Sequence, residues 1–413
     1  MSEKTVIIGI DGVPFHLIRD LTKSGDMPNF ASLINEGYIS KMRSAIPEVS
    51  NVNWSSMVTG KNPGEHGIYG FTELIQGTYT VSFPDRRALQ AEEFWKDGRR
   101  HIVLNVPATY PAEEINGVMI SGFVSPELER AVTPESALDY LKSIDYSVDV
   151  DSEKAHKSKR LFLDNLFETL EKRKKAYEHF WEEKWDVFML VFTGSDRLEH
   201  FLWHAYEDES HEYHERFIDY FREVDKIIGD IMDKMAEDDR LIALSDHGME
   251  QIKENVNVNA HLEKHGFLKL GDKPEERYKN IAAGTKAFAL DPGRIYINEK
   301  GRYPRGKVED SDQLIEDIIA SFDDLRYEGQ DVIKKIWKKE DIYSGEYMDR
   351  APDIVLTPHK GFNLKGGVKY DDIFEQNIFS GKHTEHNAFL YCNNKELPDN
   401  PVIEYVRSLI NKS

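Results

Sequence analysis

Five short runs, Thr5–Ile10, His101–Val106, 186–192, 241–245 and 353–357, are predominantly apolar and do not alternate. A strand with one face in water reads apolar, polar, apolar. A continuous run belongs to a sheet covered on both faces, the usual state of parallel strands packed between helices. Helical patterns lie between the runs. One spans residues 27–36, with Asp26 as its expected N-cap and Gly37 as its expected terminator. Another spans residues 158–184, where Leu161, Leu166, Leu170 and Tyr177 predict a core-facing side. Strands alternating with helices predict an α/β fold with a mostly parallel central sheet flanked by helices on both faces. Residues 126–153 and 254–350 break the rhythm, apart from one strand-like run at 294–298. Both are candidate insertions or caps. The whole chain, 1–413, is expected to form a single domain, with 254–350 as a cap or insertion within it.

The first run ends Ile-Ile-Gly-Ile-Asp-Gly, which puts Asp11 at the carboxyl end of a buried strand. The run at 241–245 leads into Ser-Asp-His-Gly, placing Asp246 and His247 at another. The run at 186–192 is followed by Thr-Gly-Ser-Asp-Arg-Leu-Glu-His. Asp196 and His200 are four residues apart there, and at the start of a helix they share one face. In an open α/β sheet the carboxyl ends of the strands line the ligand crevice. Taken singly, an Asp after a strand is an ordinary helix cap, Asp-His-Gly an ordinary turn, and the Asp196/His200 pair a surface ion pair. Together they bring Asp and His from separate segments to one edge. Carboxylate and imidazole ligands without thiolate suit Zn²⁺, Mn²⁺ or Fe²⁺ at a catalytic site.

The segment Ile46-Pro-Glu-Val-Ser-Asn-Val-Asn-Trp-Ser-Ser-Met-Val-Thr-Gly60 predicts a short helix over 53–59 closed by Gly60. Ser50 then lies at or just before a helix N-terminus. Amide groups and the helix dipole there favour an anionic oxygen, and an N-cap serine would occupy the same place.

Composition narrows the partners. The formal net charge of −21 argues against a broad nucleic-acid or anionic-lipid surface, but not against a small anion bound at metal ions. The single cysteine, Cys392, excludes an internal disulfide and a thiolate metal cluster. The polar start at residues 1–5 does not read as a secretory leader, and no run approaches the length of a membrane span. A soluble cytoplasmic protein is the expectation, with its oligomeric state open.

Several of these pieces resemble the alkaline phosphatase superfamily: Ile-Gly-Ile-Asp-Gly, Trp-Ser-Ser-Met-Val-Thr-Gly-Lys-Asn-Pro-Gly-Glu-His-Gly-Ile, Ser-Asp-His-Gly-Met and Ser-Gly-Lys-His. Within it the chain looks like the type I phosphodiesterase/nucleotide pyrophosphatase branch and its prokaryotic phosphohydrolases. Gly293-Arg-Ile-Tyr-Ile-Asn, Arg350-Ala-Pro-Asp-Ile-Val and Asn105-Val-Pro-Ala-Thr-Tyr-Pro fit that branch, so the likeness covers nearly the whole chain. The resemblance implies two divalent ions, usually zinc and in some members manganese. Asp11, Ser50, Asp246 and His247 match one site; Asp196, His200 and His383 match the other. His386, close by and chemically equivalent, is set aside only because Ser380-Gly-Lys-His matches at His383.

The implied reaction is in-line displacement on a small phosphodiester or pyrophosphate through a phosphoseryl intermediate on Ser50. Alternatives with the same residues are a phosphomonoesterase, a phosphonate monoester hydrolase and a phosphotransferase or mutase. A non-catalytic metal-binding protein is the reading from another class. A sulfatase lacks its Cys/Ser-x-Pro-x-Arg motif here. Two departures stand out: many diesterases place Thr where Ser50 stands, and nucleotide pyrophosphatases carry an Asn where gap-free spacing gives Phe71. The donor to the non-bridging phosphate oxygen is therefore sought among Asn51, Asn53 and Lys61, and His66 is read as a structural loop residue.

Overall fold

The computed structural model describes residues 4–370, 372–376 and 379–410. Residues 1–3, part of the start on which the leader reading rests, lie outside them. The chain divides into two compact units. The first comprises residues 1–61, 85–249 and 379–413, and the second residues 62–84 and 250–378.

The first unit is built on an eight-stranded sheet. Its order is Tyr38–Met42, Ala388–Cys392, Arg240–Leu244, Thr5–Ile10, Val187–Phe192, His101–Val106, Gly117–Ser121 and Val132–Thr133. The five strands from Arg240–Leu244 to Gly117–Ser121 are mutually parallel, so the sheet is mostly parallel, as the unbroken apolar runs require. Antiparallel strands close both edges. Along Thr5–Ile10 successive side chains serve opposite faces. Val6, Ile8 and Ile10 join a core with Leu17, Phe30, Phe162 and Phe221 from four helices. On the other face Gly9 lets Trp54 of the helix Ser50–Thr59 lie against the strand: a Cβ there would stand 2.5 Å from the Trp54 ring. Helices thus cover both faces, which is why the strands show no alternation.

The second unit has its own core, from Tyr79 to Val368. Its four-stranded sheet, in the order Ala287–Leu290, Arg294–Ile297, Ile354–Pro358 and Ile333–Lys338, is antiparallel throughout. This corrects the reading of 353–357 as a parallel strand. A buried antiparallel strand produces the same unbroken apolar run, so the run alone does not reveal direction.

Three further expectations change. Residues 126–153 are no cap, because Val132–Thr133 pairs with Gly117–Ser121 and extends the main sheet. Asp26 does not cap its helix. Pro28 opens that helix after Met27, and Asp26 instead accepts from Arg222 Nε at 2.8 Å. Leu161, in the first turn of the helix Lys159–Trp181, is 53% exposed, while Leu166, Leu170 and Tyr177 are buried as expected. Among the described residues, no helix is long and apolar enough to cross a membrane.

Candidate metal centre

All seven residues singled out from the sequence lie in the first unit, and the structure brings them together. Asp11 follows the strand Thr5–Ile10, Asp246 and His247 follow Arg240–Leu244, and Asp196 and His200 lie on the helix Gly194–Glu207 after Val187–Phe192. His383 stands in the strand Gly381–Thr384. His386 is 51% exposed and beside Glu385, outside the cluster.

The local sequence enforces this approach. Gly12, next to Asp11, has φ +79°, and a Cβ there would press on Asp196 Cα, Cβ and Oδ1 at 3.2 Å. The helix carrying Asp196 and His200 is kinked at Leu202 (φ −138°, ψ 21°). The amide of Trp203, just past the kink, donates to Ser380 Oγ at 2.8 Å. Ser380 N in turn donates to His200 O at 2.7 Å. A Cβ on Gly381 would stand 2.5 Å from Glu199 O, so only glycine lets the strand run this close to the helix. The motif Ser-Gly-Lys-His therefore has a division of labour. Ser380 bonds across the kink, Gly381 permits contact, and His383 enters the cluster.

Each imidazole gives its Nδ1 to a main-chain carbonyl: His200 to Gly381 O (2.9 Å), His383 to Glu48 O (2.7 Å) and His247 to Gly248 O (3.1 Å). That fixes Nδ1 as the N–H and turns each Nε2 inward. His383 Nε2 lies 2.9 Å from His200 Nε2 and 3.1 Å from Asp196 Oδ1. His247 Nε2 lies 3.0 Å from Ser50 Oγ, 3.3 Å from Asp246 Oδ2 and 3.7 Å from Asp11 Oδ1.

Charge follows from this packing. Burial pushes His200 down to about 4 and His247 well below the usual histidine range, so both are neutral with bare Nε2 lone pairs. Burial, then the neighbouring carboxylates Asp246 and Asp196, drive Asp11 up, and burial carries Asp246 to about 7. Burial also acts on Asp196, but the facing His200, His383 and Arg197 outweigh it and hold that carboxyl well below its ordinary value. Asp246 Oδ2 is buried without a hydrogen-bond partner among the described residues. Inward lone pairs beside clustered carboxylates fit divalent cations, which need oxygen and imidazole ligands fixed from behind. Two groups of donor atoms lie within reach of a shared ion, Asp11/Asp246/His247 and Asp196/His247/His383. His200 Nε2, 3.3 Å from Asp196 Oδ1, adjoins the second.

Ser50 is the first residue of the helix Ser50–Thr59, which begins earlier than the sequence pattern suggested and ends at Gly60 (φ 68°). Its hydroxyl lies 3.3 Å from Asp11 Oδ1. The N-cap, Val49, has no capping side chain, so the positive end of the helix is left toward this edge.

Several supporting residues had no readable signal. Trp54 Nε1 donates to Asp11 Oδ2 at 2.9 Å. Arg197 donates to Asp196 Oδ2 at 3.2 Å while Asp149 Oδ2 anchors it at 3.0 Å, so Asp196 presents Oδ1 inward. Trp54 and Arg197 sit inside motifs quoted above, where only their neighbours looked reactive. Asn53 is removed as a candidate donor to phosphate: its Oδ1 accepts from Ala45 N and its Nδ2 donates to Val49 O. In the second unit, His66 is fully buried and closes the short helix Pro63–His66 rather than lying in a loop, and its Nδ1 accepts from Ile68 N, a structural hydrogen bond.

The fold is similar to that of phosphonoacetate hydrolase from Sinorhizobium meliloti 1021, solved with phosphonoformate, at 14% identity over 99% of this chain and 95% of that one (TM-score 0.66). It is also similar to murine ectonucleotide pyrophosphatase/phosphodiesterase 5, at 13% identity over 99% and 94% (TM-score 0.56). These likenesses establish an alkaline phosphatase-like α/β fold. No curated protein gives a significant sequence match. The family profile of type I phosphodiesterase/nucleotide pyrophosphatase matches residues 5–385. The chain belongs to the type I phosphodiesterase/nucleotide pyrophosphatase family.

Proposed function

We propose that this chain is a two-metal phosphohydrolase that cleaves phosphodiester or pyrophosphate bonds of small substrates through Ser50. The observation that carries the proposal is the position of Ser50 Oγ, at a helix N-terminus and 3.0 Å from His247 Nε2. Asp11, Ser50, Asp246 and His247 are assigned to one ion, and Asp196, His200 and His383 to the other. Bound there, the ions would lower the serine pKa and neutralise charge on the attacking and leaving oxygens. The donor set suits zinc or manganese. Buried Cys392, the only thiol, is compatible with a reducing cytoplasm.

The chain's own part is positioning. Asp11 accepts the Ser50 hydroxyl hydrogen and is itself fixed by Trp54. Ser50 Oγ attacks phosphorus, the bond to the leaving oxygen breaks, and a phosphoseryl ester forms that water then hydrolyses. For the non-bridging oxygen we assign Asn51, adjacent to Ser50 and 8% exposed. Lys61 lies beyond the far end of this ten-residue helix, about 15 Å along its axis.

Family membership favours diesters and pyrophosphates. The neighbours solved with phosphonoformate and with AMP bind phosphorus oxyanions, which keeps phosphomonoesters and phosphonates as the second reading. The test compares initial rates on a bis-aryl phosphate and the matching aryl monoester, with zinc or manganese, for the wild type and Ser50→Ala. Faster diester cleavage that disappears in the variant is expected. Faster monoester cleavage moves the protein to the phosphatase branch. Diester turnover that survives in Ser50→Ala removes the serine from the mechanism.

A further inference from the structure

The proposed reaction has a direction. Ser50 is assigned to one ion, and in-line displacement sends the leaving oxygen to the opposite side, toward the ion assigned to Asp196, His200 and His383. The leaving group therefore departs on the His200 side. The first unit is aromatic there. The half-buried ring of Phe379 meets the His200 ring edge-on, with centroids 5.6 Å apart. Phe379 packs in turn on Phe201, at 5.0 Å.

This wall ends in a cation. Lys159 Nζ lies 4.7 Å over the Phe201 ring, and the His156 ring is 5.8 Å from the same ring. Lys159 is half-buried, and its side chain has no carboxylate partner among the described residues. Three effects act against a positive charge at this place. Burial pushes the ammonium below its ordinary value. Lys159 is the first residue of the helix Lys159–Trp181, whose dipole is positive at that end, and the first turn carries no acid. The neighbouring titratable group is His204, itself lowered by burial, by His211 and by Lys159. The local sequence adds to the imbalance. Residues 154–160 hold Lys154, Lys157, Lys159 and Arg160 and no acid, in a chain of net charge −21. Lys157 pairs with Glu153 at 3.4 Å and Lys154 acts on Glu168, which leaves Lys159 and Arg160 without a counter-ion. A partly desolvated ammonium on an aromatic face, with no anion of its own, gains most from an anion brought by a substrate.

We infer that Lys159 is a specificity-determining residue that pairs with a negative charge at the far end of the leaving group, beyond a flat portion lying along Phe379 and Phe201. The inference rests on the two-metal diesterase reading and narrows it to substrates that are anionic on the leaving side.

The test uses the metal-loaded, full-length protein and bis-aryl phosphates with one plain phenyl ring and one ring bearing a hydroxymethyl, carboxymethyl or phosphonomethyl group para to the ester oxygen. Either ring can leave, so the ratio of substituted phenol to phenol released reports the choice of leaving group within one substrate. The hydroxymethyl compound should give a ratio near one. A carboxymethyl or phosphonomethyl ring should leave at least about tenfold more often than phenyl, and the larger ratio identifies the terminal group as carboxylate-like or phosphate-like. Lys159→Met should bring the ratio close to one, and Lys159→Arg should keep most of the preference. Lys159→Glu should favour release of phenol, which keeps the test open if Lys159→Met folds poorly. Turnover without preference for either anionic ring, or a preference that survives both Lys159→Met and Lys159→Glu, overturns the inference and leaves the diesterase reading standing. No turnover of any of the three compounds overturns both.

Discussion

Replacing Gly381 by alanine tests whether the candidate metal centre depends on the close approach of strand and helix. The new Cβ would stand 2.5 Å from Glu199 O and 3.0 Å from Met249 Sδ. The methionine can swing aside; the helix carbonyl cannot. Restoring ordinary contact needs about 0.9 Å of movement. The carbonyl of residue 381 accepts from His200 Nδ1 at 2.9 Å, so that shift stretches the bond toward about 3.8 Å, past hydrogen-bonding range. His200 then loses the contact that fixes its tautomer, and His383 moves with its strand. Overpacking of this kind costs about 1–3 kcal/mol of stability, and loss of a supporting contact weakens metal binding about 10–100-fold. Competition for zinc against a chromophoric chelator, with circular dichroism on the same samples, reads both. The expected result is one ion weakened by that factor and the other unchanged. Unaltered affinity for both ions, with unaltered stability, would mean that the strand has slack and that the close-approach argument is wrong.

Asp196→Ala and His200→Ala should each remove one ion per chain while leaving the circular dichroism spectrum intact; gross unfolding with unchanged metal content per folded chain refutes the ligand assignment. Trp54→Phe keeps most of the packing on Gly9 but leaves Asp11 Oδ2 without its donor, a charge-assisted bond of about 1.5–3 kcal/mol, so diester turnover should fall at least tenfold while the circular dichroism spectrum stays intact. Chelation should reveal a pH slope. Asp246 is raised to about 7, so its contribution to the metal-free fold is complete below the ordinary carboxyl range and is lost as pH rises through 7. The gap in melting temperature between loaded and stripped protein should widen from pH 5 to pH 8; a gap that narrows contradicts the assignment of Asp246 to a metal.

Much of the first unit is legible in the sequence because buried parallel strands announce themselves as unbroken apolar runs and deliver their polar residues at the carboxyl ends. Asp11 and Asp246 follow such runs directly, and Asp196 comes four residues after the end of another. Gly117–Ser121 and Ala388–Cys392 are largely buried too, but they are short and flanked by loops without clear punctuation, so the sequence does not mark them. Direction is not legible at 353–357, since burial dictates composition and pairing partners dictate direction. His383 could be told from His386 only through the motif, because the reason lies in Leu202: a helix kink about 180 residues away opens the amide that Ser380 receives. The expected cap at Asp26 failed for a tertiary reason, the nearby Arg222 guanidinium. The carbonyls that orient the histidines belong to Glu48, Gly248 and Gly381, and carbonyl oxygens leave no mark in a sequence.

Those carbonyls divide the neighbourhood into positions that can drift and positions that cannot. At residue 48 the contact to His383 Nδ1 is made by the main chain, so a change of side chain there leaves the tautomer of His383 as it is. At 381 the same freedom is withdrawn by the helix pressed against it. Gly248 has no more room than Gly381, since a Cβ there would stand 1.7 Å from Asn387 Oδ1, so of the three carbonyls only the one at residue 48 tolerates an exchange of side chain.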